Sequence, residues 1–430
     1  MRRILLISVL FSLVLLPSCG VYTKYQPLVL ADSDTTLVNM PGWREYFTDP
    51  LLQNLIDSAL VRNTSINVAA IRLRQSEESL RAARLAYAPS VSLSPLGSVG
   101  MTSSNSAAFS YSVPVGVNWD FGSPGTLFAR KHQAMARQIQ EQDNLNAIRN
   151  GIICQIAADY YYLQMLDKEV AVLNETIEKW QTNIEIQREL LAVGKTFFSS
   201  VAQMESKVME ARQDLLKIKA DIETVERAMC LVLAMPFGHI ERSGSNDDRM
   251  NLVVDNEVSI AQLRRRPDVR AAERDLEICH YLTSESMSAF YPSIKLSGDI
   301  GWPMLINATA SLIQPLFMQG KLRARLNISK MDQEIAHAQF SQILLQAASE
   351  VCQSLADYRL YSQKEVLYTQ QIESQTQSSQ ILGILQRDGT AKYLEVIKAE
   401  ESLLNAKVDK CVSIYKQQEA AIMLYKALAE

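Results

Sequence analysis

The sequence repeats itself at a spacing of about 200 residues, and this repeat limits the possible folds more than any other feature. Matching residues fall at three slightly different shifts, 203, 198 and 195, and keep the same order in both copies. They pair Arg62 with Arg265, Pro89 with Pro292, Ala158-Asp159-Tyr160 with Ala356-Asp357-Tyr358, and Gly194 with Gly389. A chain of 430 residues is therefore predicted to be one unit present twice, with short insertions or deletions between the copies.

Each copy predicts the same order of elements: a helix, two strands, a long helix, a turn and a second helix. The first copy covers 51–250, with a helix at 51–87, strands at about 89–100 and 110–121, a long helix at 126–191 and a return helix at 200–235. The second covers 251–430, with strands at about 291–302 and 308–317, a long helix at 321–386 and a return helix at 393–428. The predicted fold class is α+β and mostly α.

The strand segments alternate in polarity and are nearly free of charge. From Ser110 to Trp119, apolar residues alternate with small polar ones. No charged residue lies between Arg84 and Asp120, and the matching window of the second copy has only Lys295 and Asp299. Alternating strands of about 10 residues are typical of transmembrane β-barrels. Two soluble hairpins packed on a core would alternate as well, and this remains the alternative interpretation.

Four such strands cannot close a barrel, because the smallest filled barrels need about eight. An open sheet edge in lipid would also leave backbone groups without hydrogen bonds. We therefore expect several chains to share one barrel, and a homotrimer would supply about 12 strands.

The long helices are predicted from uninterrupted sequence. Neither 126–191 nor 321–386 contains proline, and each spans 66 residues, which as a helix would extend roughly 100 Å. In the first, apolar residues from Leu166 to Ile184 follow a 4-3-4-3-4 spacing, which is a heptad seam. A lone coiled-coil dimer would show the same seam.

Each long helix is followed by a glycine that fits the left-handed position after a helix end, Gly194 in the first copy and Gly389 in the second. Ser200 and Gln203 have the spacing of a capping box, which predicts that the return helix opens at Ser200. The chain therefore returns alongside itself as antiparallel helices.

The N-terminus has the pattern of a secretory leader. Arg2 and Arg3 precede the apolar stretch Ile4–Leu16, whose 13 residues are too few to span a membrane comfortably. The stretch ends in Leu-Pro-Ser-Cys-Gly, which resembles a bacterial lipobox centred on Cys19. A plain secretory signal with an incidental cysteine is the alternative.

On the lipobox interpretation, residues 1–18 are a signal peptide and 19–50 form a lipidated N-terminal segment. Cys19 would then carry a diacylglycerol and an N-acyl chain. Gly20 is not the aspartate that marks retention in the inner membrane, so the outer membrane is favoured.

Composition excludes several other functions. The 43 Lys and Arg residues against 47 Asp and Glu leave no basic footprint for nucleic acid. The mean hydropathy of −0.04 excludes a bundle of transmembrane helices. Four scattered histidines and widely spaced cysteines predict neither a metal site nor a disulfide framework. We expect no catalytic residues and no cofactor apart from the covalent lipid.

Several motifs together resemble the TolC-like outer-membrane efflux factors of the NodT-type lipoprotein branch, and the resemblance runs from Cys19 to the C-terminus. The motifs are Pro41-Gly42-Trp43 with Asp49-Pro50-Leu51, Arg266-Pro267-Asp268-Val269, Tyr291-Pro292-Ser293-Ile294, Gln314-Pro315-Leu316-Phe317 with Gly320-Lys321-Leu322, and Tyr393-Leu394-Glu395-Val396. The resemblance implies a trimer with a 12-stranded barrel in the outer membrane, continued by a periplasmic α-helical barrel of 12 helices.

The resemblance also implies function and partners. Such proteins are passive exit ducts of tripartite efflux pumps, assembled with a periplasmic adaptor and an inner-membrane transporter. Acidic residues of the inner helices close the family's tunnel and bind cations, and the matching positions here are Glu395 and Lys398. The lysine departs from the family pattern, and its i,i+3 spacing could pair it with Glu395, so we expect weak cation block. The turn residues expected to meet the adaptor are Gly194, Lys195, Gly389 and Lys392.

Two other functions are weighed beside this one. The same duct fold serves type I protein secretion, although the lipobox and NodT-like motifs favour small molecules. A structural lipoprotein could instead tether envelope layers through its coiled coil without conducting.

Overall fold

The computed structural model describes residues 23–27, 40–101, 107–194, 196–244, 260–302, 305–387 and 393–428, and every statement below is confined to them. Cys19, Lys195, Gly389 and Lys392 lie outside these ranges.

Nine helices are assigned among the described residues, and two of them have 67 residues each. In chain order they are α1 (Trp43–Tyr46), α2 (Pro50–Arg62), α3 (Thr64–Leu85), α4 (Thr126–Ala192), α5 (Phe198–Val232), α6 (Ile260–Leu263), α7 (Pro267–Ser288), α8 (Lys321–Arg387) and α9 (Tyr393–Leu428). The chain is thus mostly helical.

Five strand segments form an antiparallel sheet: β1 (Ser90–Leu93), β2 (Leu96–Met101), β3 (Ala107–Gly122), β4 (Ser293–Trp302) and β5 (Leu305–Ile313). The order is β1-β3-β4-β5, and β2 also pairs with β3. The long strand β3 therefore pairs with β1 and β2 along one side and with β4 along the other. The β3–β4 register runs from Val113 opposite Trp302 to Gly122 opposite Ile294, with an irregularity between Asp120 and Gly122.

The strands differ in detail from the sequence prediction for reasons that the residues explain. The strand expected at about 89–100 is divided into β1 and β2 at Pro95, which has no N–H to give to the ladder. The strand expected at 308–317 instead spans 305–313 and ends before Pro315. Leu316 and Phe317, beyond it, are 92% and 83% exposed.

The helix predicted over 51–87 is interrupted at Asn63. There the Asn63 Oδ1 atom accepts hydrogen bonds from the backbone N–H groups of Ser65 and Ile66, at 2.8 and 3.2 Å, and so caps α3. Its Nδ2 atom donates to the carbonyl of Val232 at 2.7 Å. The Asn63 side chain therefore caps α3 and also binds the junction between α2 and α3 to the C-terminal end of α5.

The chain divides into two compact units. Among the described residues, unit 1 contains 23–27, 69–145 and 267–344, with all five strands, and unit 2 contains 40–68 and the described parts of 146–266 and 345–430. In unit 2, an apolar cluster joins the C-terminal part of α4 to α5; its buried members are Leu173, Ile177, Trp180, Ile184, Val201, Met204, Val208 and Ala211. The four α4 members belong to the predicted heptad seam, so this seam packs against the chain's own return helix.

The N-terminal helices α1 and α2 are also held within unit 2. Asp49 is buried, and its Oδ2 atom accepts a hydrogen bond of 2.6 Å from the hydroxyl of Tyr160 on α4. Its Oδ1 atom caps α2 by accepting from the backbone N–H of Leu51 at 2.8 Å. Tyr46 stacks on Tyr425 of α9 with 4.6 Å between ring centroids. The N-terminal helices are thus held to both α4 and α9.

Within unit 1, one buried carboxylate joins three helices. The Oε1 atom of Glu285 on α7 accepts hydrogen bonds from Arg130 on α4, at 3.1 and 3.2 Å, and from Arg325 on α8, at 3.2 Å. The Glu285 side chain is 10% exposed, whereas both arginines are more than half exposed. We call Glu285, Arg130 and Arg325 the three-helix clamp.

No helix among the described residues is both long enough and apolar enough to cross a membrane.

The three-helix clamp predicts a stability effect. Glu285→Gln keeps the volume of the side chain but removes the charge that both guanidinium groups bind. Hydrogen bonds to charged groups contribute about 1.5–3 kcal/mol, and solvent around the arginines reduces this, so we expect a loss of about 1–2 kcal/mol. The measurement is the thermal unfolding midpoint of the purified protein, with Glu77→Gln on the exposed face of α3 as the matched control. An unchanged midpoint for Glu285→Gln would show that the clamp does not stabilise unit 1.

Candidate functional site

The turn between α4 and α5 has the backbone geometry expected of a helix end. Gly194 follows the end of α4 with φ of +75°, in the left-handed region, and its N–H donates to the carbonyl of Leu191 at 3.0 Å. A side chain there would meet no neighbouring atom, so the glycine serves the backbone conformation and not a close contact.

The turn is flanked by apolar side chains that lie in solvent. Val193 is 68% exposed, Phe197 79% and Phe198 73%. Three such large apolar residues around one turn form an exposed apolar patch, which marks a site of interaction more often than an isolated residue does. We call these three residues the turn patch.

The capping box predicted at Ser200 and Gln203 was wrong. Helix α5 begins at Phe198, two residues before Ser200, and its N-cap is Phe197, which makes no side-chain capping bond. Ser200 instead lies inside the first turn, where its backbone N–H donates to the carbonyl of Phe197 at 3.0 Å.

Glu395 and Lys398 both lie in the first two turns of α9 with exposed side chains. Between them, Val396 and Ile397 are buried, at 3% and 6% exposure. The structure therefore presents the two charged residues on the solvent side of α9 and the two apolar ones on its packed side. Within the described part of the chain no ion pair joins Glu395 to Lys398, although their spacing allows one. An exposed pair of this kind gains little free energy from forming.

A second group of polar residues, which sequence reasoning missed, fastens α9 to its neighbours. On α5, the Lys207 Nζ atom lies 2.8 Å from Glu210 and 3.1 Å from Glu401 of α9. On α9, Lys407 lies 3.4 Å from Glu175 of α4. The two lysines thus connect α9 to both members of the α4–α5 pair.

Glu400 belongs to the same group but is bound differently. Its Oε1 atom accepts a hydrogen bond of 3.1 Å from Nδ2 of Asn183 on α4. Burial raises the pKa of the Glu400 carboxyl, while hydrogen bonds from Asn183 and Trp180 act in the opposite direction. The sequence carried a signal for this residue, because Val396, Glu400 and Leu404 follow a spacing of four that places a carboxyl in an apolar stripe.

The geometry of this site is that of fastened helices and an exposed turn. Among the described residues no cluster of His, Cys, Asp and Glu could hold a metal ion. Lys207, Lys407 and Glu400 join α9 to its neighbouring helices. Glu395 and Lys398, at the start of α9, are exposed.

Comparison with known proteins identifies the chain. The model of the family described as "Outer membrane efflux protein" matches residues 55–234 and 260–430, which together cover most of the chain.

The chain belongs to the outer membrane efflux protein family.

Three relatives show how this efflux protein compares with others. It is 23% identical to the cation efflux system protein CusC of Escherichia coli, over 96% of each chain. It is 24% identical to the toluene efflux pump outer membrane protein TtgC of Pseudomonas putida, over 90% of this chain and 84% of the relative. It is 20% identical to nodulation protein T of Rhizobium leguminosarum bv. viciae, over 91% and 84%. The resemblance inferred from the sequence motifs is confirmed.

The fold of the efflux protein matches a solved channel structure. A crystal structure of CusC superposes with a TM-score of 0.88 at 21% identity, covering 95% of this chain and 99% of the other. The mostly helical TolC-like fold is thereby confirmed.

Proposed function

We propose that this efflux protein is the outer-membrane exit duct of a tripartite pump, which passively conducts drugs or other small molecules from the periplasm to the exterior. The observation that carries the proposal is the family match through both halves of the chain. The names of the relatives CusC and TtgC, a cation efflux protein and a toluene efflux pump component, support small cargo over polypeptide. The same match makes an enzyme the least favoured function.

The antiparallel sheet supports assembly of several chains in the outer membrane. Large apolar side chains of its strands are exposed, among them Val91, Leu93, Tyr111 and Ile300, at 60% or more. We count β1 and β2 as one interrupted strand, since both pair with β3. With β3, β4 and β5 each chain then supplies four strands, and a homotrimer forms a barrel of about 12 strands that leaves no open edge in lipid.

The lipid anchor on Cys19 is supported by the chain that follows it. The carbonyl of Thr23 lies 3.1 Å from Nε2 of His280 on α7, and the Tyr25 ring lies 5.9 Å from the His280 ring. The residues just after the lipobox therefore lie on α7, in the unit that contains the strands. An acylated Cys19 would precede Thr23 by four residues in the sequence, in the same unit as the strands.

The exposed start of α9 supports its role as the periplasmic constriction. Three copies of Glu395 around a trimer axis would repel one another at neutral pH. Three copies of Lys398, also exposed, would offset that repulsion and the attraction for cations.

The turn patch supports an adaptor contact. A partner's helical hairpin could cover Val193, Phe197 and Phe198, while Gly194, Lys195, Gly389 and Lys392 contact it through backbone and charge. The adaptor in turn connects the duct to an inner-membrane transporter, which selects the cargo and supplies the energy.

Conductance separates a duct from a tether. Purified protein reconstituted in a planar bilayer should give discrete single-channel conductance, because a closed barrel with a water-filled interior passes ions. Heat-unfolded protein at the same concentration is the control. A structural tether would give no channels, and that result would contradict the proposal.

Cation titration of the same conductance examines the constriction. Multivalent cations should block the wild type weakly, because Lys398 reduces the negative potential around Glu395. Lys398→Asp should bind the blocking cation about tenfold more tightly, which corresponds to a gain of about 1.4 kcal/mol from three added carboxylates. Glu395→Gln is the matched control and should not gain block. Wild-type block as strong as that of a family member with two acidic rings would contradict the assignment.

Site-specific cross-linking examines the adaptor contact. A photoreactive residue at position 195 or 392 should capture the adaptor in cells, whereas one at Glu77 of unit 1 should not. Failure of both turn positions to capture any adaptor, when the pump is active, would show that these turns are not the contact.

A further inference from the structure

The seam between α9 and α4 contains a half-buried carboxyl, that of Glu400, whose placement the proposed efflux function does not explain. One oxygen of Glu400, Oε1, accepts the hydrogen bond from Asn183. The other, Oε2, is inaccessible to solvent and accepts no hydrogen bond from any described residue. A carboxylate placed in this way would hold charge on an oxygen without a donor, which is costly.

The cavity beside Glu400 is lined by no charged residue other than Glu400 itself. This small cavity has a volume of about 70 Å³, and its polar lining includes the side-chain amides of Asn183, Gln187 and Gln386. Gln187 on α4 is only 4% exposed. Met204 of α5 completes the packing, so α4, α5 and α8 all meet α9 at this point.

The neighbouring lysines make their ion pairs with other carboxylates, although the charge of Lys179 also lowers the pKa of Glu400 against the effect of burial. On α4, Lys179 makes an ion pair with Glu175. On α5, Lys207 lies 3.1 Å from Glu401, the residue next to Glu400. The residues of α8 that line the cavity carry no charge. No described lysine or arginine makes an ion pair with Glu400.

We propose that Glu400 is a proton-binding site that fastens the start of α9 to α4. The neutral carboxyl accepts the hydrogen bonds of Asn183 and Trp180 and leaves at most one O–H without a partner. The ionised carboxyl is stabilised by water on Oε2, and separation of α9 from α4 exposes that atom to bulk water. Proton loss therefore loosens the seam.

The sign of the pH dependence follows from the direction of the pKa shift. Burial raises the pKa of Glu400 above its ordinary value of 4.5, so the packed seam binds the proton more tightly than the open one. The stabilisation is fully present below the ordinary pKa and is lost as the pH rises through the raised pKa. Acid tightens the seam and neutral pH loosens it.

Hydrogen–deuterium exchange of the full-length protein in detergent, corrected for the intrinsic rate at each pH, measures this opening. Between pH 4.5 and pH 8, protection of residues 396–404 should fall by about tenfold for each unit by which the pKa of Glu400 is raised. Glu400→Gln, which mimics the protonated form, should keep this segment protected at every pH. Glu401→Gln is the matched control one residue along and should retain the wild-type pH dependence.

Two results would overturn the proposal: wild-type protection that does not change with pH, or a Glu400→Gln variant that responds to pH as the wild type does. Glu400→Asp keeps a titratable group and should retain a pH dependence even if Glu400→Gln folds poorly. Exchange reports helix packing and not conduction, so a failure of the duct proposal would leave this test unaffected.

Discussion

The pairing of β3 with β4 is the constraint on which unit 1 depends, because it joins a strand from each half of the sequence. Backbone hydrogen bonds run along this pair from Val113 and Trp302 to Gly122 and Ile294. The three-helix clamp connects the same two halves a second time, through Glu285 and its two arginines. Because both connections cross between the halves, neither half can complete the sheet or bury Glu285 by itself.

Unit 2 is held by a different combination of forces. An apolar seam joins α4 to α5, and charged or amide side chains join α9 to that pair. Apolar packing does not depend on pH, whereas a partly buried carboxyl such as that of Glu400 does. On the proposal for Glu400, the attachment of α9 is the part of this unit that responds to pH, whereas the apolar α4–α5 packing does not. A protein that conducts passively needs no catalytic group. In such a protein, a titratable side chain can act by changing how tightly two helices pack.

The sequence predicted the helices best, since their signals are local and long. The heptad spacing from Leu166 to Ile184 placed the seam, and Gly194 placed the turn with its left-handed φ. The prediction from the sequence failed where a single side chain interrupts a regular pattern. Asn63 divides a helix because it caps the next one, and Pro95 divides a strand because it has no N–H. Glu400 was missed because a charged residue in a sequence pattern is taken as exposed, and only the packing shows that one of its oxygens is inaccessible to solvent. Cys19 and Gly389 lie outside the described residues, so their assigned roles stay predictions.

The register of β3 has a consequence for how such a chain can change over evolutionary time. Side chains on a strand alternate between two faces, so an insertion of one residue inside β3 would exchange its faces against β4. A helix is less strict, because a slip of three or four residues returns nearly the same face to the seam. An even change of length inside a strand keeps its faces, whereas an odd change needs a bulge such as the irregularity between Asp120 and Gly122. Helices and connections can absorb slips of three or four. The sequence shifts of 203, 198 and 195 include a difference of three within the long-helix region, which is the kind of slip that a helix tolerates.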